Sequence, residues 1–203
     1  MDNSKEKFIE FLIARNILKF GNFTLKSGKK SPFFINLGDI NSGYLLDFIG
    51  KAMAQLIKES GLKPDILFGP PYKGITLISA TSIAMYNEYK NDVAICYNRK
   101  EIKSHGEGGL FVGKTPSAGD SIVMIDDVVS TGGAKLEAID LLKKELNVSV
   151  DAIVVSVDRR TKNQFDELQG QTVYSIITLL DIAQYLQSRN LEKSKQIYDF
   201  YEA

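Results

Sequence analysis

Ile122-Val123-Met124-Ile125-Asp126-Asp127-Val128-Val129-Ser130-Thr131-Gly132-Gly133-Ala134 begins as an apolar run, reaches two adjacent carboxylates, and passes through small residues into a helical pattern. Residues 121–125 read as a strand and 133–146 as the helix that follows. A strand that is apolar throughout belongs in a sheet covered on both faces. Ser130, Thr131, Gly132 and Gly133 bring hydroxyls and unblocked backbone N–H groups to a helix N-terminus, where orphan donors and the helix dipole favour a phosphate. Asp126 and Asp127 cannot face that phosphate. As ionised carboxylates they accept hydrogen bonds from the hydroxyls of a sugar attached to it, or hold water on a divalent cation. A lone Asp-Asp reads equally well as an ordinary strand-to-helix turn, but the Ser-Thr-Gly-Gly that follows weighs against that reading.

The same alternation continues on both sides. Before this stretch come a helix from Ser42 to Ser60 closed by Gly61, a strand at 65–68, a helix at 74–86 and a strand at 93–97. After it come strands at 150–157 and 172–178 and helical segments at 181–188 and 191–201. The expectation is an α/β fold in one domain, a parallel sheet flanked by helices, with ligands beyond the carboxyl ends of the strands. At the N-terminus, residues 4–15 read as a helix that Asn3 and Glu6 cap, with Gly21 ending that region. Short β-prone runs at 23–26 and 33–37 flank a basic tip, a β-hairpin expected to stand apart from the main sheet as a small hood within residues 1–40. Residues 98–119 lack periodicity and exceed the length a connection needs, which suggests a mobile lid or binding loop.

Composition narrows the classes. Among 203 residues, Lys+Arg and Asp+Glu are equal at 25 each, so no long-range field draws nucleic acid or anionic lipid, and anion binding must come from a local cluster of cations. Cys96 is the lone cysteine, which rules out an internal disulfide; in Val93-Ala94-Ile95-Cys96-Tyr97 it reads as a small buried thiol without a function. The N-terminus shows no cleavable leader and no segment reaches membrane-spanning length, so a cytoplasmic location is expected. Neither G-x-x-x-x-G-K-[ST] nor a strand-linked G-x-G-x-x-G occurs.

Three further segments carry chemistry. Gly69-Pro70-Pro71-Tyr72-Lys73-Gly74 follows a strand as a stiff turn that presents one lysine and a helix N-terminus to a second anion such as a pyrophosphate; alone it reads as a turn with a solvated lysine. Arg99-Lys100-Glu101-Ile102-Lys103-Ser104-His105-Gly106-Glu107-Gly108-Gly109 joins cations to glycines, as a segment that closes over a departing anion requires; the bland reading is a solvated charge run. The hairpin, from Phe23 to Asn36, offers a lysine and an aromatic wall to a planar base. Asp158-Arg159-Arg160 ends another strand, where an arginine can pair with a carboxylate or a polarised carbonyl on that base.

Together and in this order these segments resemble the type I phosphoribosyltransferases over nearly the whole chain. The Asp-Asp loop marks the superfamily, while Phe-Thr-Leu-Lys-Ser-Gly and Arg-Lys-x-x-Lys-x-His-Gly-Glu-Gly-Gly are similar to its orotate-specific branch. The resemblance implies transfer of ribose 5-phosphate from phosphoribosyl pyrophosphate to orotate, giving orotidine 5′-monophosphate and pyrophosphate in pyrimidine biosynthesis. It implies that Lys26, Tyr72 and Lys73 contact the sugar pyrophosphate, and that Asp126, Asp127, Val128, Val129, Ser130, Thr131, Gly132, Gly133 and Ala134 hold its ribose and 5′-phosphate. Arg99 and Lys103 would act across a homodimer, Lys100 and His105 would also bind pyrophosphate, and orotate would sit by Phe34, Ile35, Ser130 and Arg159. Lys103, His105, Asp126 and Asp127 are the expected catalytic groups, Lys103 being the chief contributor from the lid. Mg²⁺ would be held mainly through substrate and water, with no direct protein ligand assigned. In the family the peptide that here precedes Tyr72 can be cis. Ser130 stands where threonine is common, Ile35 where a second aromatic often occurs and Pro71 where alanine is common. Two rivals stand beside this reading: a phosphoribosyltransferase for another base, and a non-catalytic regulator that binds phosphoribosyl pyrophosphate. The cationic lid, and the lack of a DNA-binding region, weigh against the regulator.

Overall fold

The structure, a computed structural model, describes residues 2–25, 28–103, 109–168 and 170–203, with the backbone alone at 102, 103 and 165–167. Helix α1 (Asn3–Ala14) buries Phe8, Ile9, Phe11 and Leu12. Its cap is Asp2 and not Asn3: the Asp2 carboxylate accepts from the Ser4 N–H at 3.2 Å, and Asn3 is already helical. β1 (Leu18–Thr24) and β2 (Lys30–Ile35) pair antiparallel as a separate two-stranded sheet, with Leu18 opposite Ile35. Gly21 lies inside β1 instead of ending the helical region, at a point where the register shifts between Phe20 and Phe23.

The main body follows as α2 (Gly43–Glu59), β3 (Ile66–Phe68), α3 (Lys73–Tyr89), β4 (Ala94–Lys103), β5 (Gly109–Gly113), β6 (Ile122–Val129), α4 (Gly133–Leu146), β7 (Ala152–Asp158), β8 (Val173–Thr178), α5 (Leu179–Gln187) and α6 (Leu191–Glu202). The sheet has six strands in the order β5-β4-β3-β6-β7-β8. Every neighbouring pair is parallel except β4 and β5, so the sheet is mixed with one antiparallel edge. Residues 98–119 are therefore not one unstructured loop: β4 continues to Lys103 and β5 returns against it, pairing Asn98 with Phe111. Gly113 makes that return possible, since its φ is 90° and a Cβ there would lie 2.1 Å from the Ile95 carbonyl oxygen.

Period-two alternation explains the apolar strands. Leu67, Val123, Ile125 and Val154 point into the core beneath α1, α2, α3 and α5, while Ile66, Phe68, Ile122, Met124, Ile153 and Val155 point into the core beneath α4. Both faces are covered, so no position in these strands is left for a polar side chain until the carboxyl edge. Cys96 is fully buried in the second of these cores. Ser42 caps α2 through the Leu45 N–H at 3.4 Å, and Thr178 with Asp181 forms a reciprocal capping box on α5. No helix among the described residues is long and apolar enough to cross a membrane.

Candidate active site

β6 runs past Ile125 to Val129, so Asp126 and Asp127 sit within the ladder, with Asp126 opposite Val155 and Val128 opposite Val157. Both carboxylates are held in place. Asp126 Oδ1 accepts from the Asp127 N–H at 2.8 Å and its Oδ2 from Lys135 Nζ at 2.7 Å. Asp127 Oδ1 accepts from the Val128 N–H at 2.7 Å, and its Oδ2 from Lys73 Nζ at 2.6 Å. Burial pushes the Asp126 carboxyl above its ordinary range, against the opposing pull of the Lys135 ammonium.

The Lys73–Asp127 contact joins two of the segments read from the sequence. Lys73 opens α3 beyond the turn that ends β3, and β3 is the parallel neighbour of β6. Close packing shapes the turn: a Cβ on Gly69 would lie 2.5 Å from the Gly74 carbonyl oxygen. The Pro71–Tyr72 peptide is cis. Tyr72, Lys73 and Asp127 line a cavity of about 260 Å³ with Gly38, Ile40 and Thr76.

On the other side of β6 lies a larger cavity of about 490 Å³, whose walls include Thr24, Lys29, Phe34, Ser130, Arg159 and Phe200. Phe34 is 38% exposed and stacks obliquely on Phe23 at 5.6 Å, so the hairpin supplies the aromatic wall. The Ile35 side chain is 7% exposed and packs in the core, which leaves its backbone as the part nearest solvent. Arg159 lies 5.8 Å over the Phe33 ring, and its buried Nε has no hydrogen-bond partner among the described residues. Burial pushes the guanidinium below its usual value, and the charge of Asp127 partly restores it. Arg160 is different: its Nε donates to both Asp158 oxygens, at 3.0 and 3.1 Å, and its Nη2 to Oδ2 at 2.6 Å, a buried clamp that fixes the end of β7.

After β6, Ser130, Thr131, Gly133 and Ala134 are exposed or half-buried, Gly132 is buried at φ 77°, and α4 starts immediately beyond. Val129 is buried in the core and can contribute only its backbone, whereas Val128 is half-buried. On the β4–β5 ribbon, Arg99 Nη1 donates to the Gly109 carbonyl at 3.1 Å and Lys100 Nζ stands 4.5 Å over the Tyr72 ring, which brings the ribbon to the β3 turn. Lys26 and His105 lie outside the described residues, and of Lys103 only the backbone, in β4, is described.

Phe200, Thr161 and Gln164 also line the larger cavity, and Lys135 holds Asp126; the sequence reading singled out none of them. Nothing in the pattern around Phe200 pointed to a site. Lys135 carried one signal, a cation in the first turn of a helix, where its charge has the wrong sign for the dipole.

A strand-end acidic pair, an amide-rich helix start and a lysine-bearing turn around one edge define a phosphoribosyltransferase, and the family model described as phosphoribosyl transferase domain matches residues 41–185. The orotate phosphoribosyltransferase of Mannheimia succiniciproducens is 41% identical over 196 residues, covering 93% of this chain and 90% of that one. That of Clostridium acetobutylicum is 38% identical over 200 residues, covering 94% and 89%. The crystal structure of orotate phosphoribosyltransferase from Francisella tularensis superposes with a TM-score of 0.84 at 33% identity, over 98% of this chain and 96% of that one. The chain belongs to the orotate phosphoribosyltransferase family.

Proposed function

We propose that this chain transfers ribose 5-phosphate from phosphoribosyl pyrophosphate to orotate, giving orotidine 5′-monophosphate and pyrophosphate in pyrimidine biosynthesis. The observation that carries the reading is the 2.6 Å contact between Lys73 and Asp127, which couples an anion-binding turn to a sugar-binding strand at the wall of the smaller cavity. In the free protein the two side chains neutralise each other. With substrate bound, Lys73 turns to the pyrophosphate and Asp127 to a ribose hydroxyl. The amides and hydroxyls of residues 130–134 hold the 5′-phosphate at the start of α4.

Positive charge develops on the ribose as its bond to pyrophosphate breaks, and negative charge grows on the leaving group. Lys73, Lys100 and Arg99 oppose the latter; a single preorganised donor of this kind is worth roughly 10²–10³ in rate. Asp126 and Asp127 fix the ring so that the anomeric carbon faces the base. Phe34 covers one face of orotate, and Arg159 pairs with its carboxylate through a planar fork. Lys26, Lys103 and His105 are assigned to the pyrophosphate, with Arg99 and Lys103 reaching the site of a second subunit in a homodimer. Water excluded by the closed ribbon cannot compete as nucleophile.

The donor set also fits Mg²⁺ bound through substrate. Asp127 faces the smaller cavity, and no group of three or more candidate ligand side chains gathers among the described residues, so the cation would be held by pyrophosphate, ribose and water. When bound it neutralises charge on the pyrophosphate. A cytoplasmic location accords with the substrates. The test is the ultraviolet absorbance of orotate on adding chain, phosphoribosyl pyrophosphate and Mg²⁺, with uracil and purine bases offered in parallel. Loss of orotate absorbance is expected; preference for another base would overturn the substrate, and binding without turnover would overturn the enzyme.

A further inference from the structure

Lys135 is the third residue of α4 and is 4% exposed. A cation in a first helical turn opposes the dipole, and a buried ammonium persists only where close partners offset the loss of water. Lys135 Nζ has two such partners, Asp126 Oδ2 and the Val128 carbonyl, each at 2.7 Å. The other Asp126 oxygen is taken by the Asp127 N–H at 2.8 Å. One ammonium therefore holds a carboxylate from behind and also ties the end of β6 to the first turn of α4, across the residues 129–134 assigned to the 5′-phosphate.

We infer that Lys135 is a positioning residue: through Asp126 it presets the ribose-binding carboxylate and the span of the phosphate loop before substrate arrives. The inference rests on the proposed binding of phosphoribosyl pyrophosphate. The ammonium faces inward to the strand, so it acts on the sugar only by way of Asp126 and the loop. The charged groups around Asp126 are Lys135 and Asp127, with Lys73 held on the far oxygen of Asp127 and Arg159 within reach of its field. Without Lys135, only the Asp127 N–H still opposes burial and the Asp127 charge, and the carboxyl holds its proton to higher pH.

The test is a double-mutant cycle on Lys135→Met and Asp126→Asn, read as calorimetric affinity for phosphoribosyl pyrophosphate with Mg²⁺ across pH. In the otherwise native chain Lys135→Met is expected to weaken binding about tenfold or more and to move the acid limb of binding to higher pH. In the Asp126→Asn background the same change is expected to cost at least about threefold less, what remains being the loop tie through the Val128 carbonyl. The double variant replaces the buried pair by neutral groups of similar size and keeps the fold, so it carries the test against Asp126→Asn even if Lys135→Met alone is unstable. Equal losses in both backgrounds, or an acid limb that stays where it was, would overturn the inference while leaving the function intact. A native chain that fails to bind phosphoribosyl pyrophosphate would overturn both.

Discussion

Arg159→Gln separates the base subsite from the rest of the site. Arg159 is half-buried, its Nε lacks a hydrogen-bond partner among the described residues, and its guanidinium borders the 490 Å³ cavity. A cation kept in that state gains little within the free protein, so its removal should leave the fold within about 0.5 kcal/mol of native stability. Under the proposed function bound orotate changes the balance, because its carboxylate would supply the missing partner. Truncating one member of a buried charge-assisted pair costs about 2–5 kcal/mol. Half-burial points to the lower part of that range, about 2–3 kcal/mol, which at 1.4 kcal/mol per decade is a loss of about 30- to 150-fold. The assay is steady-state turnover by orotate absorbance. The KM for orotate should rise by that factor while the KM for phosphoribosyl pyrophosphate changes less than about twofold. Arg159→Lys keeps the charge and loses the fork, so it should fall between the two. An unchanged orotate KM, or equal losses for both substrates, would refute the assignment.

Gly50→Ala should destabilise the chain by about 1–3 kcal/mol in urea unfolding, because a Cβ there would lie 2.6 Å from the Ala80 carbonyl oxygen and force α2 from α3; native stability would show that this contact relaxes freely. Burial pushes the Cys96 thiol up to about 12, so a thiol-specific reagent should label it only as fast as the chain unfolds, and rapid labelling of folded protein would contradict its burial. Because that pKa is raised, the contribution of Cys96 to stability is present below the ordinary thiol value of 9.0 and is lost as pH rises toward about 12. Asp120 has the opposite sign: the Lys114 ammonium and the N–H and hydroxyl of Ser117 hold its carboxyl at about 2. Asp120→Asn should therefore reduce stability above the ordinary value of 3.8, the deficit closing as pH falls toward about 2; a deficit independent of pH would mean that the carboxylate charge is not the cause.

The parts of the fold legible in the sequence were those where burial leaves one kind of residue possible. β6 and β7 serve two cores at once, so residues 122–125 and 152–155 had to be apolar on both faces, and α4 was bounded by glycines at its start and by a left-handed Asn147 at its end. The β4–β5 ribbon was not legible for the converse reason. Its outer half, Asn98-Arg99-Lys100-Glu101, runs beyond the residues that β3 pairs and is half-buried or exposed, so no apolar alternation marks it as a strand. β1 is likewise hard to read, since Gly21 and Asn22 resemble turn residues but lie where the hairpin register slips. Local chemistry thus reads well from sequence where the fold confines it, and poorly at margins where several conformations suit the same residues.

For the site the division falls between a motif and its partners. Residues 126–134 and 69–74 carry their chemistry in contiguous strings, but nothing in either string says that they meet; their adjacency follows from the placement of β3 directly beside β6. The order β3-β6-β7 then has a mechanistic consequence. Neighbouring strands are about 4.8 Å apart, so the turn after β3 and Arg159 after β7 flank the carboxyl edge of β6 on opposite sides. Under the proposed function the pyrophosphate lies toward β3, the orotate toward β7, and the ribose over Asp126 and Asp127 between them. On that placement pyrophosphate would depart from one side of the anomeric carbon while the base nitrogen enters from the other, as direct displacement requires, and it is the strand order, more than any single side chain, that would set this geometry.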